Sequence, residues 1–297
     1  MSAPIDERLA WNLVRSVPRG LGEDVSVRVH HHRHPEVWLQ VHGSGHWEAS
    51  APLTDEARVA IDLFLPLQLR ADLVIGQIGQ SLDGRIATES GHSHYVTGPA
   101  DIRRLHRLRA LVDAVVVGVG TVLSDNPRLT VRDVEGENPV RVVLDPNGRL
   151  RDSSLHVLAD RAARTLVVHC ATAEDGAAPD PDVLVVPARD HGRLEPASIL
   201  DALRGRGLRR VLVEGGGITI SRFLQAGALD RLHVTVAPML IGSGHSALTL
   251  DPIGSLTQAI RPRCRTFRLG ADIVFDLDLR NLDAEREMPM AGEDSSC

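Results

Sequence analysis

The spacing of apolar and polar residues changes near residue 72 of this 297-residue chain. Beyond that point, short uninterrupted runs of valine, leucine and isoleucine recur, and stretches with helical spacing separate them. A run such as Ala114-Val115-Val116-Val117 is typical of a strand buried on both faces of a parallel sheet. The runs predict strands at residues 73–75, 114–117, 140–144, 165–169, 183–186, 210–213, 232–237 and 273–279.

Helical spacing between these strands predicts helices at residues 99–110, 196–204 and 218–225. Pro99 suits the first turn of the first helix, and Gly227 suits the end of the last one. Strands that alternate with helices favour a mostly parallel, doubly wound α/β sheet, because each crossover helix returns over one face of the sheet.

The N-terminal part of the chain follows a different pattern. It combines a helix at 9–17, alternating strands at 25–30 and 37–41, and a second helix that begins after Thr54 and is expected to run to about Leu65, because Pro66 then breaks the pattern. We therefore expect a small α+β module at residues 1–70 and a larger α/β domain at residues 71–280. Residues 281–297 are acidic and polar, so a disordered tail is expected there.

Composition narrows the class of protein. The formal net charge of −6 provides no general basic field for nucleic acid, and no apolar run is long enough for a membrane-spanning helix. The three cysteines are odd in number and widely spaced, which favours a reducing, cytoplasmic compartment over a disulfide framework. Histidines cluster at residues 30–34, but neighbours on a strand point to opposite faces, so no metal site is expected.

Two strand ends carry residues that suggest chemistry. One strand runs into Glu214-Gly215-Gly216-Gly217, after which a helix begins at Ile218. Glycines there allow the backbone to approach an anion closely, and the helix start points N–H groups at it. The segment from Gly118 to Asp125 follows another buried strand in the same way. Both segments can equally be tight connections, and Asp125 can equally be a turn former.

Short polar and glycine-containing segments recur in a recognisable order along the larger domain. They are Ser81-Leu82-Asp83-Gly84-Arg85, Ser93 to Thr97, Leu108-Arg109-Ala110, Gly120-Thr121-Val122, Asp125 to Arg132, Glu214-Gly215-Gly216 and Ala237-Pro238-Met239-Leu240-Ile241-Gly242. In this order they resemble the reductase domain of the bacterial riboflavin-biosynthesis deaminase–reductase, within the dihydrofolate-reductase-like superfamily. The resemblance covers about residues 72–280 and implies that residues 71–280 form an NADPH-dependent reductase domain.

The resemblance also implies a reaction and a set of site residues. The reaction is reduction of a phosphoribosylamino-pyrimidine to its ribitylamino form with NADPH, by a homodimer. Gln77 and Glu214 stand at the positions near the reacting centre, as catalytic residues. The substrate-binding positions are Ser93, Arg109, Leu129, Arg132 and Glu214. The cofactor-binding positions are Gly79, Tyr95, Thr121, Asp125, Gly216, Gly217, Ile218, Thr219, Ile220, Ser221 and Arg222.

Three of these residues have chemistry that suits a particular part of the ligand. Arg109 and Arg132 suit the ribose phosphate, because a guanidinium grips phosphate with paired, charge-assisted hydrogen bonds. Glu214 suits the amino groups of the pyrimidine, because a carboxylate accepts hydrogen bonds.

Three features depart from the family pattern and leave alternatives open. Gln77 stands where family members often carry lysine or asparagine. Pro146 follows Asp145 where a small hydroxyl residue is common, although Arg149 suits a cofactor 2′-phosphate. Residues 1–70 are not a deaminase. The alternatives are a reductase of a different heterocycle, such as a dihydropteridine or a secondary-metabolite precursor, and a non-catalytic binding protein on the same fold.

Overall fold

Nine strands form the main sheet of the computed structural model, which describes residues 3–93, 95–171, 182–189 and 193–280. The tail predicted at 281–297 lies outside the described residues. The helices are α1 Glu7–Ser16, α2 Asp55–Gln68, α3 Pro99–Leu111, α4 Val119–Asp125, α5 His156–Ala159, α6 Pro196–Arg204 and α7 Gly217–Gln225. The strands are β1 Ser26–His31, β2 His34–His42, β3 Trp47–Ala49, β4 Leu73–Ser81, β5 Arg85–Thr88, β6 Ala114–Gly118, β7 Val140–Leu144, β8 Thr165–Cys170, β9 Val183–Val186, β10 Ala188–Arg189, β11 Arg193–Leu194, β12 Arg210–Glu214, β13 Arg231–Ala237, β14 Gly244–Ser246, β15 Arg263–Leu269 and β16 Asp272–Asp278.

The strand order across the main sheet is β15-β16-β13-β4-β12-β6-β7-β8-β9. Neighbours from β13 through β9 pair in parallel, and β16 and β15 add an antiparallel edge. The earliest strand of this sheet, β4, lies near its middle, and later strands are added on both sides. The predicted mostly parallel, doubly wound α/β fold is therefore confirmed.

Side chains of the central strands alternate between two hydrophobic cores, one on each face of the sheet. In β12, Leu212 packs in the core that contains Leu108 of α3, whereas Val211 and Val213 pack in the core that contains Phe223 of α7. Because successive strand residues point to opposite faces, a strand covered on both faces needs an uninterrupted apolar run. This requirement explains why the pattern of apolar runs located the sheet.

The predicted end of helix α2 is wrong. Helix α2 does not end at Pro66 but continues through it to Gln68. Pro66 lacks the N–H that would bond one turn back, yet it stands in the last turn, where Leu65 and Leu67 are buried. The Gln68 amide also donates to the carbonyl of Val17, at 2.7 Å. Tertiary packing therefore outweighs the local cost of the proline.

The edge strand β15 and the helix α4 were not predicted. Strand β15 is largely exposed and rich in arginine, so it carries no apolar run, and its pairing with β16 alone makes it a strand. Helix α4 begins within the glycine segment that follows β6, and Asn126, at φ 41°, ends it in the left-handed region.

Helices α1 and α2 pack against α3, and the three-stranded sheet of β1, β2 and β3 packs against α1. Trp11 of α1 and Phe64 of α2 meet edge to face at 5.4 Å, and both belong to the same core as the α3 face of the sheet. The guanidinium of Arg107 lies over the Trp11 ring and donates to Glu7 at 2.6 Å. The N-terminal elements therefore cover the outer surface of α3.

Candidate active site

A cleft of about 1050 Å³ lies at the carboxyl ends of the central parallel strands. Gln77 of β4, Glu214 of β12, Gly118 of β6 and Leu144 of β7 each contribute to its wall. Ligands of open α/β sheets bind in such a crevice, because the strand ends there release loops and helix N-termini into one space. The cleft is therefore the candidate active site.

Most of the predicted site residues meet in this cleft although they are far apart in the chain. The predicted residues that line it are Gln77, Gly79, Ser93, Arg109, Thr121, Asp125, Leu129, Glu214, Gly216, Gly217, Ile218, Thr219 and Arg222. The predicted residues outside its lining are Tyr95, Arg132, Ile220 and Ser221.

Three of the residues outside the lining are held in other environments. Tyr95 is 83% exposed and has a positive φ of 64°. Ile220 is fully buried in the core beneath α7. The hydroxyl of Ser221 accepts a hydrogen bond from the Thr249 backbone N–H at 2.9 Å. Ile220 and Ser221 therefore support α7 from its inner side, whereas Ile218, Thr219 and Arg222 face the cleft.

Arg109 and Glu214 form a buried ion pair in the cleft wall. The Arg109 Nε and Nη2 groups donate to the two Glu214 carboxylate oxygens at 2.8 and 2.6 Å, and Nη1 donates to the Thr130 carbonyl at 3.2 Å. Both residues are 7% exposed. In this arrangement Arg109 orients Glu214 with three of its five N–H donors engaged within the protein, and its grip on a phosphate stays a prediction.

Arg132 lies next to this pair, on the loop that follows α4. Its backbone N–H donates to His106 Nδ1 at 3.3 Å, and its guanidinium donates to the Thr130 hydroxyl at 2.8 Å. Partial burial and the nearby charge of Arg109 lower the pKa of Arg132. Within the described ranges, no carboxylate lies at ion-pair distance from its guanidinium. Arg132 thus carries the less compensated positive charge beside the cleft.

The same loop contains a strained residue. Leu129 is buried, lines the cleft and has a φ of 55°, in the left-handed region that leucine rarely adopts. Such a conformation costs about 1–2 kcal/mol. The hydrogen bonds from Arg109 to the Thr130 carbonyl and from the Arg132 N–H to His106 hold the loop directly after Leu129. The strain therefore coincides with the cleft wall, as is common at functional sites.

The N-termini of α4 and α7 face each other across the glycine turn. The Thr121 hydroxyl of α4 accepts a hydrogen bond from the Gly216 N–H at 2.9 Å. A Cβ on Gly217 would lie 2.4 Å from the Ala247 carbonyl oxygen, and a Cβ on Gly118 would lie 2.8 Å from the Thr219 hydroxyl. The backbone contact requires glycine at 217, and the Thr219 hydroxyl leaves little space at 118. The two helix N-termini, with their partial positive charge, therefore lie on one side of the cleft.

Pro146, Asn147 and Arg149, on the turn after β7, form another wall of the cleft. The buried Asp145 carboxylate accepts the backbone N–H groups of Arg149 and Leu150 at 2.9 and 2.7 Å, which shapes the turn after β7. Pro146, Asn147 and Arg149 line the cleft. The exposed Arg149 guanidinium therefore stands at the mouth of the site.

A hydrogen-bonded turn follows β4 beside the cleft. The Asp83 carboxylate accepts from the Ser81 hydroxyl and from the backbone N–H groups of Ile241 and Gly242. These bonds lower the pKa of Asp83 to about 2. The Ser-Leu-Asp-Gly segment therefore ties the end of β4 to the loop after β13, which is a structural role.

Sequence reasoning missed the residues behind Gln77. The Gln77 side-chain oxygen accepts from the buried Arg104 of α3 at 2.6 Å. Arg104 in turn bonds Asp101, His233 and Thr235, all buried. The Asp101–Arg104 spacing of three positions on a helix was a visible signal, but their burial depends on β13 and was not visible.

The cleft combines a glycine turn between two helix starts with a buried arginine–glutamate pair. Both lie at the carboxyl edge of a parallel sheet, and this combination is that of an α/β enzyme with a nucleotide-type crevice. The chain belongs to the RibD C-terminal domain family, whose family model matches residues 72–275. The resemblance seen in the sequence is therefore confirmed.

Relatives and solved structures agree with this membership. The chain is 36% identical over 222 residues to the 2,5-diamino-6-ribosylamino-4(3H)-pyrimidinone 5′-phosphate reductase of Methanothermobacter thermautotrophicus, covering 70% of this chain and 98% of that protein. It is 34% identical to the riboflavin biosynthesis protein RibD of Mycobacterium tuberculosis, covering 67% of this chain but 52% of that protein. The chain therefore spans nearly the whole archaeal reductase and about half of RibD.

The solved structures show the same fold. The deaminase/5-amino-6-(5-phosphoribosylamino)uracil reductase of Thermotoga maritima superposes with a TM-score of 0.58 at 27% identity, covering 77% of this chain and 64% of that one. The riboflavin biosynthesis reductase Rib7 of Saccharomyces cerevisiae superposes with a TM-score of 0.56 at 22% identity, covering 70% of this chain and 89% of that one.

Residues 3–93, 95–171, 182–189 and 193–280 contain neither a membrane-spanning helix nor a cluster of metal ligands. None of the helices in these ranges combines the length and the apolar character needed to cross a bilayer. In the same ranges, no three histidine, cysteine, aspartate or glutamate side chains converge as metal ligands.

Proposed function

We propose that this protein is an NADPH-dependent reductase that converts a phosphoribosylamino-pyrimidine into the ribitylamino-pyrimidine phosphate of riboflavin-type biosynthesis. The observation that carries the proposal is that one cleft joins the glycine turn between α4 and α7 to the Arg109–Glu214 pair. The glycine turn suits a pyrophosphate, because helix N-termini attract an anion, and the ion pair suits a polar heterocycle, because its carboxylate accepts hydrogen bonds. The chain also matches 98% of the length of a pyrimidinone phosphate reductase, and this match supports the same reaction.

The residues on one side of the cleft fit a nicotinamide dinucleotide. Gly217 packs so closely against the Ala247 carbonyl that no side chain fits there, and the helix N-termini beside it present N–H groups that suit a pyrophosphate. Gly216, Gly217, Thr219 and Arg222 would hold the cofactor, which supplies a hydride when bound. The choice of NADPH over NADH rests on Arg149 at the mouth, whose guanidinium suits a 2′-phosphate.

The residues on the other side fit a phosphorylated aminopyrimidine. Glu214 is held by Arg109 with both oxygens oriented, and each oxygen keeps a further lone pair for a ligand amino group. Arg132 provides a positive charge for the ribose phosphate at the loop after α4. The protein thus contributes position and electrostatics, which are the main sources of rate when a cofactor carries the chemistry.

The test is oxidation of NADPH, followed by its near-ultraviolet absorbance, with the deaminated and the non-deaminated phosphoribosylamino-pyrimidine side by side and NADH as the control. Turnover of one substrate identifies the reaction and its order relative to deamination. Tight NADPH binding without turnover of either substrate would contradict the proposal and favour a reductase of another heterocycle. Absence of both binding and turnover would favour a non-catalytic protein on this fold.

We also propose that the enzyme is a cytoplasmic homodimer. The widely spaced cysteines favour a reducing compartment. For the dimer, Leu82 and Leu240 are 66% and 74% exposed, and the Leu82 N–H donates to the carbonyl of Met239, so the backbones of two exposed apolar segments adjoin each other. Such a patch is typical of an interface. Sedimentation should give twice the chain mass, and Leu240→Glu should shift it towards the monomer; a monomeric unmodified protein would contradict the proposal.

A further inference from the structure

Gln77 presents one end of its side-chain amide to the protein and the other to the cleft. It is half-buried at the cleft wall, and its Oε1 accepts from Arg104 Nη2 at 2.6 Å. Among the described residues, no group bonds the Nε2 end. The two ends of the amide therefore differ, because the oxygen is bonded within the protein and the nitrogen is open to the cleft.

Arg104 is itself fixed on every side. It is 1% exposed, and its Nε donates to Asp101 at 2.6 Å, Nη1 to His233 Nδ1 at 3.0 Å and Nη2 to the Thr235 hydroxyl at 3.2 Å. The Thr235 hydroxyl donates to the Asp101 carboxylate, at 2.8 Å. Asp101 balances the charge of Arg104, so the guanidinium is held by both charge and geometry.

The protonation of His233 agrees with this arrangement. Arginine only donates hydrogen bonds, so His233 Nδ1 must accept and its proton lies on Nε2, which is 3.2 Å from the Asp276 carboxylate. Burial lowers the pKa of His233, which keeps the ring neutral. His233 of β13 therefore remains a hydrogen-bond acceptor for Arg104 near neutral pH.

The same rule determines the direction of the Gln77 amide. The oxygen and nitrogen ends of a glutamine look alike in shape, and the hydrogen-bond network assigns them. Because every polar hydrogen of a guanidinium donates, only the Gln77 oxygen can face Arg104. The amide nitrogen, with two N–H donors, must then face the cleft.

We propose that Arg104 is a positioning residue that fixes Gln77 as a hydrogen-bond donor to the substrate. Gln77 then selects a substrate that presents an acceptor, a carbonyl or hydroxyl oxygen, beside the reacting carbon. A carboxamide does not release a proton near neutral pH, so Gln77 orients the substrate and another group or water supplies the proton. This inference rests on the function proposed above.

Two substitutions of Gln77 test the direction of the hydrogen bond. Gln77→Glu keeps an oxygen for Arg104 but turns an acceptor towards the cleft, whereas Gln77→Met keeps the length and removes both polar ends. We expect kcat/KM to fall about tenfold in Gln77→Met and about a hundredfold in Gln77→Glu, with the Kd for NADPH unchanged. If Gln77→Glu were the more active of the two, the amide would present its oxygen to the substrate and the inference would be wrong.

A test of Arg104 must separate its effect on Gln77 from a general loss of folding. Arg104→Lys keeps the charge beside Asp101 but cannot reach all four acceptors. We expect it to lower kcat/KM about tenfold in the unmodified background and hardly at all in Gln77→Met, because the effect passes through Gln77. Equal losses in both backgrounds would show a general structural role and would overturn the inference.

A measurement without substrate separates this inference from the proposed reaction. The side-chain amide signals of Gln77 in ¹⁵N–¹H spectra are identified by their absence in Gln77→Met. We expect both amide protons to exchange rapidly with water, because they face the open cleft. Protons protected from exchange would overturn the assigned direction whether or not the protein turns over a pyrimidine, whereas failure of turnover alone would contradict only the reaction.

Discussion

Arg109 of α3 and Glu214 at the end of β12 make two parallel hydrogen bonds, of 2.8 and 2.6 Å, in the wall of the cleft. The two residues are 105 positions apart in the chain. Bidentate geometry leaves the carboxylate no freedom to rotate, so one residue predicted to touch substrate holds another in place. The pair is therefore both a part of the site and a link between the helix and the sheet.

Removal of one partner of this pair should destabilise the protein strongly. In Glu214→Ala, Arg109 keeps a buried charge without a carboxylate, and we expect the free energy of unfolding to fall by about 3–5 kcal/mol. Urea denaturation measures the change. The control is Asp201→Ala, which breaks an exposed ion pair with Arg204 and should leave the midpoint almost unchanged. Similar effects of the two substitutions would show that the buried pair contributes little.

Arg132→Ala should weaken binding of the phosphorylated substrate and not of the cofactor. Loss of a charge-assisted contact corresponds to about 1.5–3 kcal/mol, so KM should rise roughly 10- to 100-fold. The Kd for NADPH, measured by fluorescence, should stay the same because the glycine turn lies on the other side of the cleft. The control is Arg204→Ala on α6, outside the cleft lining, and equal changes in both ligands would contradict this division of the cleft.

A side chain on Gly217 should have the opposite effect. Its Cβ would meet the carbonyl oxygens of Ala247 and Ser246 at 2.4 and 2.6 Å, and these are backbone atoms that cannot rotate away. We expect Gly217→Ala to weaken NADPH binding and to lower the unfolding midpoint. Gly120→Ala is the matched stability control, because a Cβ at this helical position meets nothing within 4 Å, and alanine there should stabilise by up to about 1 kcal/mol. If the NADPH affinity and the unfolding midpoint of Gly217→Ala were unchanged, the loop after β14 would move aside at little cost in free energy.

Stability should fall as the pH is lowered through the histidine range. Burial lowers the pKa of His106 and of His233 below the ordinary 6.5, and each ring accepts a hydrogen bond through Nδ1. Below about pH 6.5 the unfolded chain therefore binds more protons than the folded one, and the free energy of unfolding decreases until the folded-state pKa values are reached. Urea midpoints at about pH 7.5 and 5.5 measure this difference.

A substitution of His106 tests whether histidine protonation causes this loss of stability. His106→Gln keeps an acceptor for the Arg132 N–H but does not titrate, so the loss of stability between the two pH values should be smaller. A protein that became more stable on acidification would contradict the sign of the argument.

The N-terminal elements should stabilise the loop that carries Arg132. The Trp11 indole N–H donates to the Glu135 carbonyl at 2.9 Å, and Arg8 pairs with the Glu135 carboxylate at the same distance. Trp11→Phe removes the donor but keeps an aromatic ring, so we expect a loss of about 0.5–1.5 kcal/mol and a raised KM. The exposed Arg8→Ala serves as the comparison and should change stability less. An unchanged KM in Trp11→Phe would show that the loop does not depend on this bond.

The sequence predicted those elements that arise from local pattern. Strands 140–144 and 183–186 and the helix at 196–204 agree with the structure at both ends, because uninterrupted apolar runs and a proline at the helix start are local signals. Strand β15 escaped detection because pairing with β16, and not its own composition, makes it a strand. The predicted cofactor-binding residues from Gly216 to Arg222 do not all face the cleft, because they follow a helix. Ile220 packs with Phe223 in the core, whereas Thr219 faces the cleft.

The sequence by itself determined the parallel sheet, the glycine turn and the family, because each depends on short local segments and on the order of those segments in the chain. Only the tertiary structure decided what the charged residues do. It paired Arg109 with Glu214 and Arg104 with Gln77, across 105 and 27 positions. Such pairings depend on where helix α3 crosses the sheet, and a buried guanidinium bonds the acceptors that the crossing places within its reach.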